Sequence, residues 1–264
     1  MKKILITVGS LLKPFKSLIE WIAEIECFVA SSWVSSAHHR LMMIQWGIPP
    51  QPEYFDHRID LFFQWVQSRN PLWLERGVFG SLALKNGMVL ELACGDGFNA
   101  RNFYSLRSDN VIACDFDPQA IRKAIRKNSA PNVIYKVADI RHDMPSGHYD
   151  NIVWDSAIEH FTPDEIQNIL KDIKVRLTQD GILSGYTIVE KSGGMKSLSH
   201  HEYEFKDKED LFRFFTPYFA HVIVFETIYP ARHNLYFWAS DAALPFTREW
   251  PQMVSNIDWQ KNIY

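Results

Sequence analysis

The chain predicts an α/β fold: a doubly wound, mostly parallel sheet with an antiparallel terminal hairpin, preceded by a helical cap. Three observations predict it. From residue 87 onward, short apolar runs alternate with amphipathic stretches, the texture of parallel strands joined by crossover helices. Two β-rich runs, 221–228 and 235–239, lie close together at the end of this region, as a hairpin requires. The first 80 residues lack the alternation and read as helices, so the expected domains are 1–80, a helical extension, and 81–264, the sheet domain.

Taken in order, Leu11, Phe15, Leu18, Ile22, Ile25 and Val29 recur in steps of four and three, which predicts an amphipathic helix over 11–29. Two readings are open for it. It packs on the main domain or a sister subunit, giving a homo-oligomer, or it makes peripheral contact with a membrane surface, with Lys2, Lys3, Lys13 and Lys16 toward anionic lipid. Gly47-Ile48-Pro49-Pro50 marks a loop, Phe55, Ile59, Phe62, Phe63 and Val66 predict a helix over 54–68, and Asn70-Pro71 a turn. Runs 88–93, 111–114, 133–137, 151–154 and 181–189 read as strands. Between them, 98–106 opens a helix, Asp117-Pro118 is a helix cap followed by a first-turn proline, and Thr162-Pro163-Asp164-Glu165 is a capping box. The last helix is expected over 207–215, and Arg232-His233-Asn234 in the turn of the hairpin.

Composition narrows the function classes. In 264 residues, 28 Lys and Arg against 31 Asp and Glu leave −3, without the basic footprint of a nucleic-acid binder. Hydrophobic residues at 47% and charged residues at 22% describe a globular chain. Cys27, Cys94 and Cys114 form no C-x-x-C or disulfide framework, so a reducing, cytoplasmic setting is expected and no metal site. The opening Met1-Lys2-Lys3 and apolar 4–12 imitate a signal peptide, but Lys13, Pro14 and Lys16 follow without a small-x-small cleavage site, so retention is expected. Glu20, Glu24 and Glu26 interrupt the best candidate membrane span. Five of nine Trp, namely Trp21, Trp33, Trp46, Trp65 and Trp73, precede residue 87, which makes the cap a place to look for flat-ring recognition.

The chemistry concentrates in Val89-Leu90-Glu91-Leu92-Ala93-Cys94-Gly95-Asp96-Gly97-Phe98-Asn99-Ala100, where a strand ends in a glycine turn and a helix opens. Gly95-x-Gly97-x-x-Ala100, with Asp115 at the end of the next strand, also fits a dinucleotide fingerprint. Glu91 argues against that, because an acid in the strand before the turn repels a pyrophosphate and favours a cationic ligand. The ordered set of Glu91, Cys94-Gly95-x-Gly97, Asp115, Ala138-Asp139-Ile140 and Tyr149-Asp150-Asn151-Ile152-Val153 resembles the class I S-adenosylmethionine-dependent methyltransferases, whose sheet is Rossmann-like and seven-stranded.

That resemblance implies S-adenosyl-L-methionine as cofactor. It implies that Glu91 supports the loop and the methionyl ammonium, that Gly95 and Gly97 pack against the cofactor, and that Asp115 holds the ribose hydroxyls with Phe116 flanking the adenine. It further implies that Asp139 receives the adenine amino group beside Ile140, and that Asp155 borders the methyl donor and the acceptor. Ala93 stands where many members have glycine. His160, in a Glu-His pair that many relatives share, is the expected catalytic base, with Asp155 as the second catalytic candidate.

Acceptor contacts are expected from His57 and Trp73 in the cap, from His200 and His201 on a lid-like segment, and from Arg232. His200-His201-Glu202 invites a metal reading, but neighbours on one extended loop rarely converge on an ion. The activity expected is methyl transfer to oxygen or nitrogen of a small-molecule acceptor, a sugar or secondary-metabolite intermediate. Two alternatives stay open: an NAD-linked oxidoreductase, and a non-catalytic cofactor-binding subunit that assembles through its N-terminal helices.

Overall fold

A computed structural model describes residues 13–60, 71–191, 196–229 and 232–244. Seven strands form one sheet: β1 Met88–Leu92, β2 Asn110–Asp115, β3 Val133–Val137, β4 Tyr149–Asp155, β5 Leu177–Ile188, β6 His221–Tyr229 and β7 Arg232–Ser240. Their order is β3-β2-β1-β4-β5-β7-β6. The first five run parallel, and β7 pairs antiparallel with both β5 and β6. The chain reverses direction across the sheet between β1 and β4, so a crevice opens at the carboxyl ends of those strands.

Six helices are described: α1 Lys16–Gly47, α2 Leu72–Leu82, α3 Phe98–Asn102, α4 Pro118–Lys127, α5 Pro163–Arg176 and α6 Lys208–Phe215. Two of their starts follow the caps read from sequence: the Asp117 carboxylate accepts from Gln119 N, and Thr162 and Glu165 complete the capping box. At α6, Asp207 is the cap and accepts from Asp210 N. Alternation along each strand then loads both faces. Leu90, Leu92, Ile152 and Trp154 bury against Ile166, Ile169, Leu170 and Ile173 of α5. Val89, Val111, Ala113 and Val153 bury on the other face with Ala100, Tyr104 and Ile121. A third cluster joins Leu72 of α2 to Tyr186, Phe225, Tyr236 and Trp238.

The differences from the sequence reading have physical causes. The helix expected over 98–106 is split into α3 and a 3-10 turn at Tyr104–Leu106. β5 starts four residues early, with a register irregularity where Tyr149 pairs with Leu177 and Asn151 with Ile182. Arg232, His233 and Asn234 are strand residues of β7, not turn residues. Asn234 is fully buried, Tyr186 Oη donates to its carbonyl oxygen and its amide donates to Thr227 Oγ1, so its polar side chain is satisfied within the sheet. The boundary expected at residue 80 falls inside α2. Of the helix expected over 54–68, residues 57–60 are helical, and the remainder from 61, Trp65 included, lies outside the described residues.

The N-terminal helix begins later and runs further than its apolar spacing predicts, from Lys16 to Gly47, and none of its residues is buried. Trp21 and Trp33 on it are exposed. Only its C-terminal end reaches the site, where Met42 and Trp46 line the cavity described next and Trp46 packs on Phe55 at 5.1 Å. No helix among the described residues is long and apolar enough to cross a membrane.

Candidate active site

A cavity of about 1070 Å³ lies over the carboxyl ends of the central strands. Its floor is the turn after β1, where Ala93, Gly95 and Gly97 all take positive φ of 53°, 55° and 74°. The two glycines serve different ends. A Cβ built on Gly95 would meet nothing nearer than Tyr54 Cβ at 3.5 Å, so a ligand can approach the bare backbone there. A Cβ on Gly97 would lie 2.5 Å from Tyr135 Oη, so this glycine makes room for a tyrosine whose hydroxyl donates to Asn128 O and Gly97 O. Gly95 and Ala93 line the cavity, and Gly97 stands behind it.

Asp115, at the end of β2, accepts from Gly95 N at 2.8 Å and from Asp117 N at 2.9 Å. It braces the turn and faces the cavity, and burial pushes its carboxyl up to about 6 against those two amides. Phe116 is half exposed at the rim. Asp139 and Ile140, after β3, line the same wall, and the Arg141 guanidinium chelates the Asp139 carboxylate and holds it below the usual range.

Beneath lies an acidic interior. Glu91 is buried in β1, and its Oε2 has no hydrogen-bond partner among the described residues. Burial first, then Asp155, drives its carboxyl far above the ordinary value. Asp155, closing β4, is clamped. Arg76 of α2 donates to its Oδ2 from Nε at 2.8 Å and Nη2 at 2.5 Å, and Asn99 Nδ2 adds a third bond at 3.0 Å. Arg76 lies over the rings of Trp73 and Tyr186, its Nη1 without a partner. Trp73 is therefore a buried support under Arg76 and does not line the cavity.

The segment before α2 roofs the turn. Asp56 pairs with Lys123 and lies 3.6 Å from Lys127 of α4, and the His57 main-chain N–H donates to Asp96 Oδ2 at 3.0 Å. The His57 ring stacks on Phe98 with its Nδ1 2.8 Å from Asp96 Oδ1, while Nε2 has no partner and the residue faces the cavity. Burial alone would raise the Asp96 carboxyl, but the His57 ring and amide with the Phe98 amide hold it low. Nearby Asp60 is buried with one carboxylate oxygen unpartnered among the described residues, and desolvation pushes it up to about 7. Asp96 and Asp60 were not among the expected site residues.

On the opposite wall, His160, in a 3-10 turn after β4, meets His200 and His201. Its ring stacks on His200 at 5.0 Å and stands perpendicular to His201 at 4.7 Å. Burial and His200 push His160 down to about 4, so it is neutral. His201 Nδ1 pairs with Glu204 rather than Glu202. The lid-side loop is tied down because Glu202 N and Tyr203 N donate to Glu159 O. Arg232 borders the cavity, with its Nε donating to Tyr186 Oη at 3.1 Å.

Residues 89–181 match the model of a methyltransferase domain family. No curated protein matches the chain. Among solved structures, a DhpI-SAH complex is 21% identical and covers 70% of this chain and 89% of that one, with a TM-score of 0.54. A DhpI-SAM-HEP complex is 18% identical and covers 80% and 96%, with a TM-score of 0.53. The N-methyltransferase NodS from Bradyrhizobium japonicum WM9 is 16% identical and covers 64% and 96%, with a TM-score of 0.52. These likenesses establish the fold. Residues 89–181 thus match a methyltransferase domain family, and they lie on a sheet whose strand order, β3-β2-β1-β4-β5-β7-β6, is of the Rossmann-like kind.

Proposed function

We propose that the chain moves a methyl group from S-adenosyl-L-methionine to oxygen or nitrogen of a small-molecule acceptor, such as a sugar or secondary-metabolite intermediate. One observation supports this reading: a single cavity is lined by the bare backbone at Gly95, by the acids Asp115 and Asp139, and by His57, whose Nε2 has no hydrogen-bond partner among the described residues. The fit to the cofactor rests on that open face at Gly95 and on the acidic interior around Glu91. When bound, S-adenosyl-L-methionine supplies an electrophilic methyl group on a sulfonium.

The residues divide the remaining work. Ala93 and Gly95 offer backbone contact, Asp115 accepts from ribose hydroxyls, and Asp139, Ile140 and Phe116 form the adenine wall. Glu91, buried behind the turn with its carboxyl pushed well above the ordinary value, is a group whose ionised form a bound cation would favour. Asp155 is a positioning residue here, because its Oδ2 is already taken by Arg76 and Asn99. His57 is the base, in place of His160. Asp96 fixes its ring, so Nε2 takes the acceptor's O–H or N–H proton as the new bond to carbon forms. Holding acceptor and donor together under the 53–60 segment supplies much of the rate, since proximity and alignment are worth ~7–11 kcal/mol in well-oriented reactions. His200 and Arg232, at the acceptor end, bind polar groups of the substrate.

Calorimetry tests the reading. S-adenosyl-L-methionine should bind and NAD should not, and Asp115→Ala should abolish cofactor binding while the melting transition persists. Unchanged cofactor affinity in that variant would remove the ribose role.

A further inference from the structure

The trio on the cavity's far wall asks for a ligand of its own. His160, His200 and His201 come from two separate segments, yet one nitrogen from each lies within 4.8 Å of the other two. From these positions and the groups around them, we propose that His160, His200 and His201 bind a divalent first-row transition metal ion of the zinc class. Imidazole nitrogen is a preferred donor for such ions, and three protein ligands with a fourth position open is the pattern of a reactive rather than a purely structural site.

The surroundings are built for this. Glu204 pairs with His201 Nδ1 and also accepts from Ser197 N at 2.6 Å, so the ring is fixed with Nε2 turned away from the carboxylate. A carboxylate behind a ligating histidine fixes its tautomer and strengthens it as a donor. Glu204 itself is buried, its second oxygen without a partner, and Glu159 is buried next to His160 with Thr187 Oγ1 donating to it at 3.0 Å. Two buried acidic side chains behind the three rings favour a divalent cation in front of them. The main-chain bonds from Glu202 and Tyr203 to Glu159 O lock the His200 segment to the turn that carries His160. Tetrahedral coordination at ~2.0–2.1 Å per bond needs the three nitrogens about 3.3–3.4 Å apart, so ring rotation and a small closure of the loop complete the site.

All three histidines line the cavity that also holds Gly95 and His57, so the open position of the ion faces the acceptor end. There the ion would orient and polarise an acceptor oxygen. That assignment rests on the methyl-transfer reading above, whereas the metal site itself does not.

The test titrates the full, untagged chain, freed of metal by a chelator, with Co2+ and then Zn2+. One Co2+ per chain should bind with visible ligand-field absorption and be displaced by Zn2+. His200→Ala, at an exposed position, and His201→Ala should each lose the signal, and Glu204→Gln should weaken binding about 10–100-fold. Absence of saturable Co2+ uptake, or equal affinity in His200→Ala, would overturn the site. S-adenosyl-L-methionine affinity measured on the same samples separates the two ideas: metal uptake without cofactor binding overturns methyl transfer and leaves the site standing, and the reverse does the opposite.

Discussion

Arg76 is where the segment before the sheet grips the catalytic end of β4, and its loss should be costly in a calculable way. In Arg76→Met the hydrophobic stem survives over Trp73 and Tyr186, but both donors to Asp155 Oδ2 disappear. Asp155 then keeps only the Asn99 amide, in an interior that already holds the unpartnered Glu91. The side chains of the Arg76–Asp155 pair are 6% and 5% exposed, so solvent does not screen the orphaned charge. Removing one partner of a buried ion pair costs about 3–5 kcal/mol. At ~2–4 °C per kcal/mol for a domain of this size, that is a fall of roughly 6–20 °C in melting temperature. Urea unfolding of Arg76→Met, Asp155→Asn and the double variant gives the coupling directly. Asp155→Asn removes the charge, so the double variant should be less destabilised than the sum of the singles. The deficit of Arg76→Met should also shrink at acid pH, where the orphaned carboxylate is protonated. A cost below ~1 kcal/mol, or strict additivity in the cycle, would refute the idea that Arg76 exists to neutralise Asp155.

Two further outcomes follow from the same structure. Gly97→Ala puts a Cβ 2.5 Å from Tyr135 Oη at a φ of +74°, so it should lower the unfolding free energy by about 1–3 kcal/mol, seen as a fall in the urea midpoint, and an unchanged midpoint would show that Tyr135 is free to move. Asp60, raised by burial from 3.8 to about 7, is more readily protonated in the folded chain than in the unfolded one, so its contribution to stability is greatest below pH ~4 and falls as pH climbs through 7. Asp60→Asn should therefore add more to the unfolding free energy at pH 8 than at pH 4, by on the order of 3–4 kcal/mol, and a gain independent of pH would disprove the burial of an ionised Asp60.

The legible parts of the molecule are those whose signals are local. Short apolar and β-rich runs located all seven strands, and Asp117, Thr162 with Glu165, and Asp207 set helix starts through side chains that reach only two or three residues along the chain. The cofactor side was legible because topology brings successive strand ends together, so an acid ending β2 and another following β3 share a crevice with the glycine turn whatever lies between. The acceptor side depends on pairs that no spacing announces. Arg76 and Asp155 are 79 positions apart, and His57 and Asp96 are 39 apart. Asp96 sat inside the motif but gave no sign that its carboxylate faces the roof segment. His200-His201-Glu202 suggested a ligand set by adjacency. The fold supplies instead His160 from another segment and Glu204, whose side chain a tight turn returns to His201. The N-terminal helix shows the limit of periodicity: apolar spacing established that a helix forms, but a helix without a buried residue has no buried face from which its ends could have been read.

The same electrostatics separate the methyl donor from a dinucleotide more firmly than the glycine motif does. Asp60, Asp115 and Asp155 face the cavity, Glu91 and Asp96 lie just behind its floor, and the Arg76 charge is already committed to Asp155. A unit charge ~8 Å away at an effective dielectric of 20 contributes roughly 2 kcal/mol, and several carboxylates act together on whatever occupies the turn. A pyrophosphate adds like charge to that field. A sulfonium-bearing amino acid would present cationic groups to it, which is the sign the surrounding acids favour. Glu91 bears on the choice without touching either ligand: buried behind the turn with its carboxyl pushed far above the ordinary value, it ionises more readily beside a cation and less readily beside an anion. The fingerprint glycines permit close approach of either ligand, and the carboxylates determine which one is held.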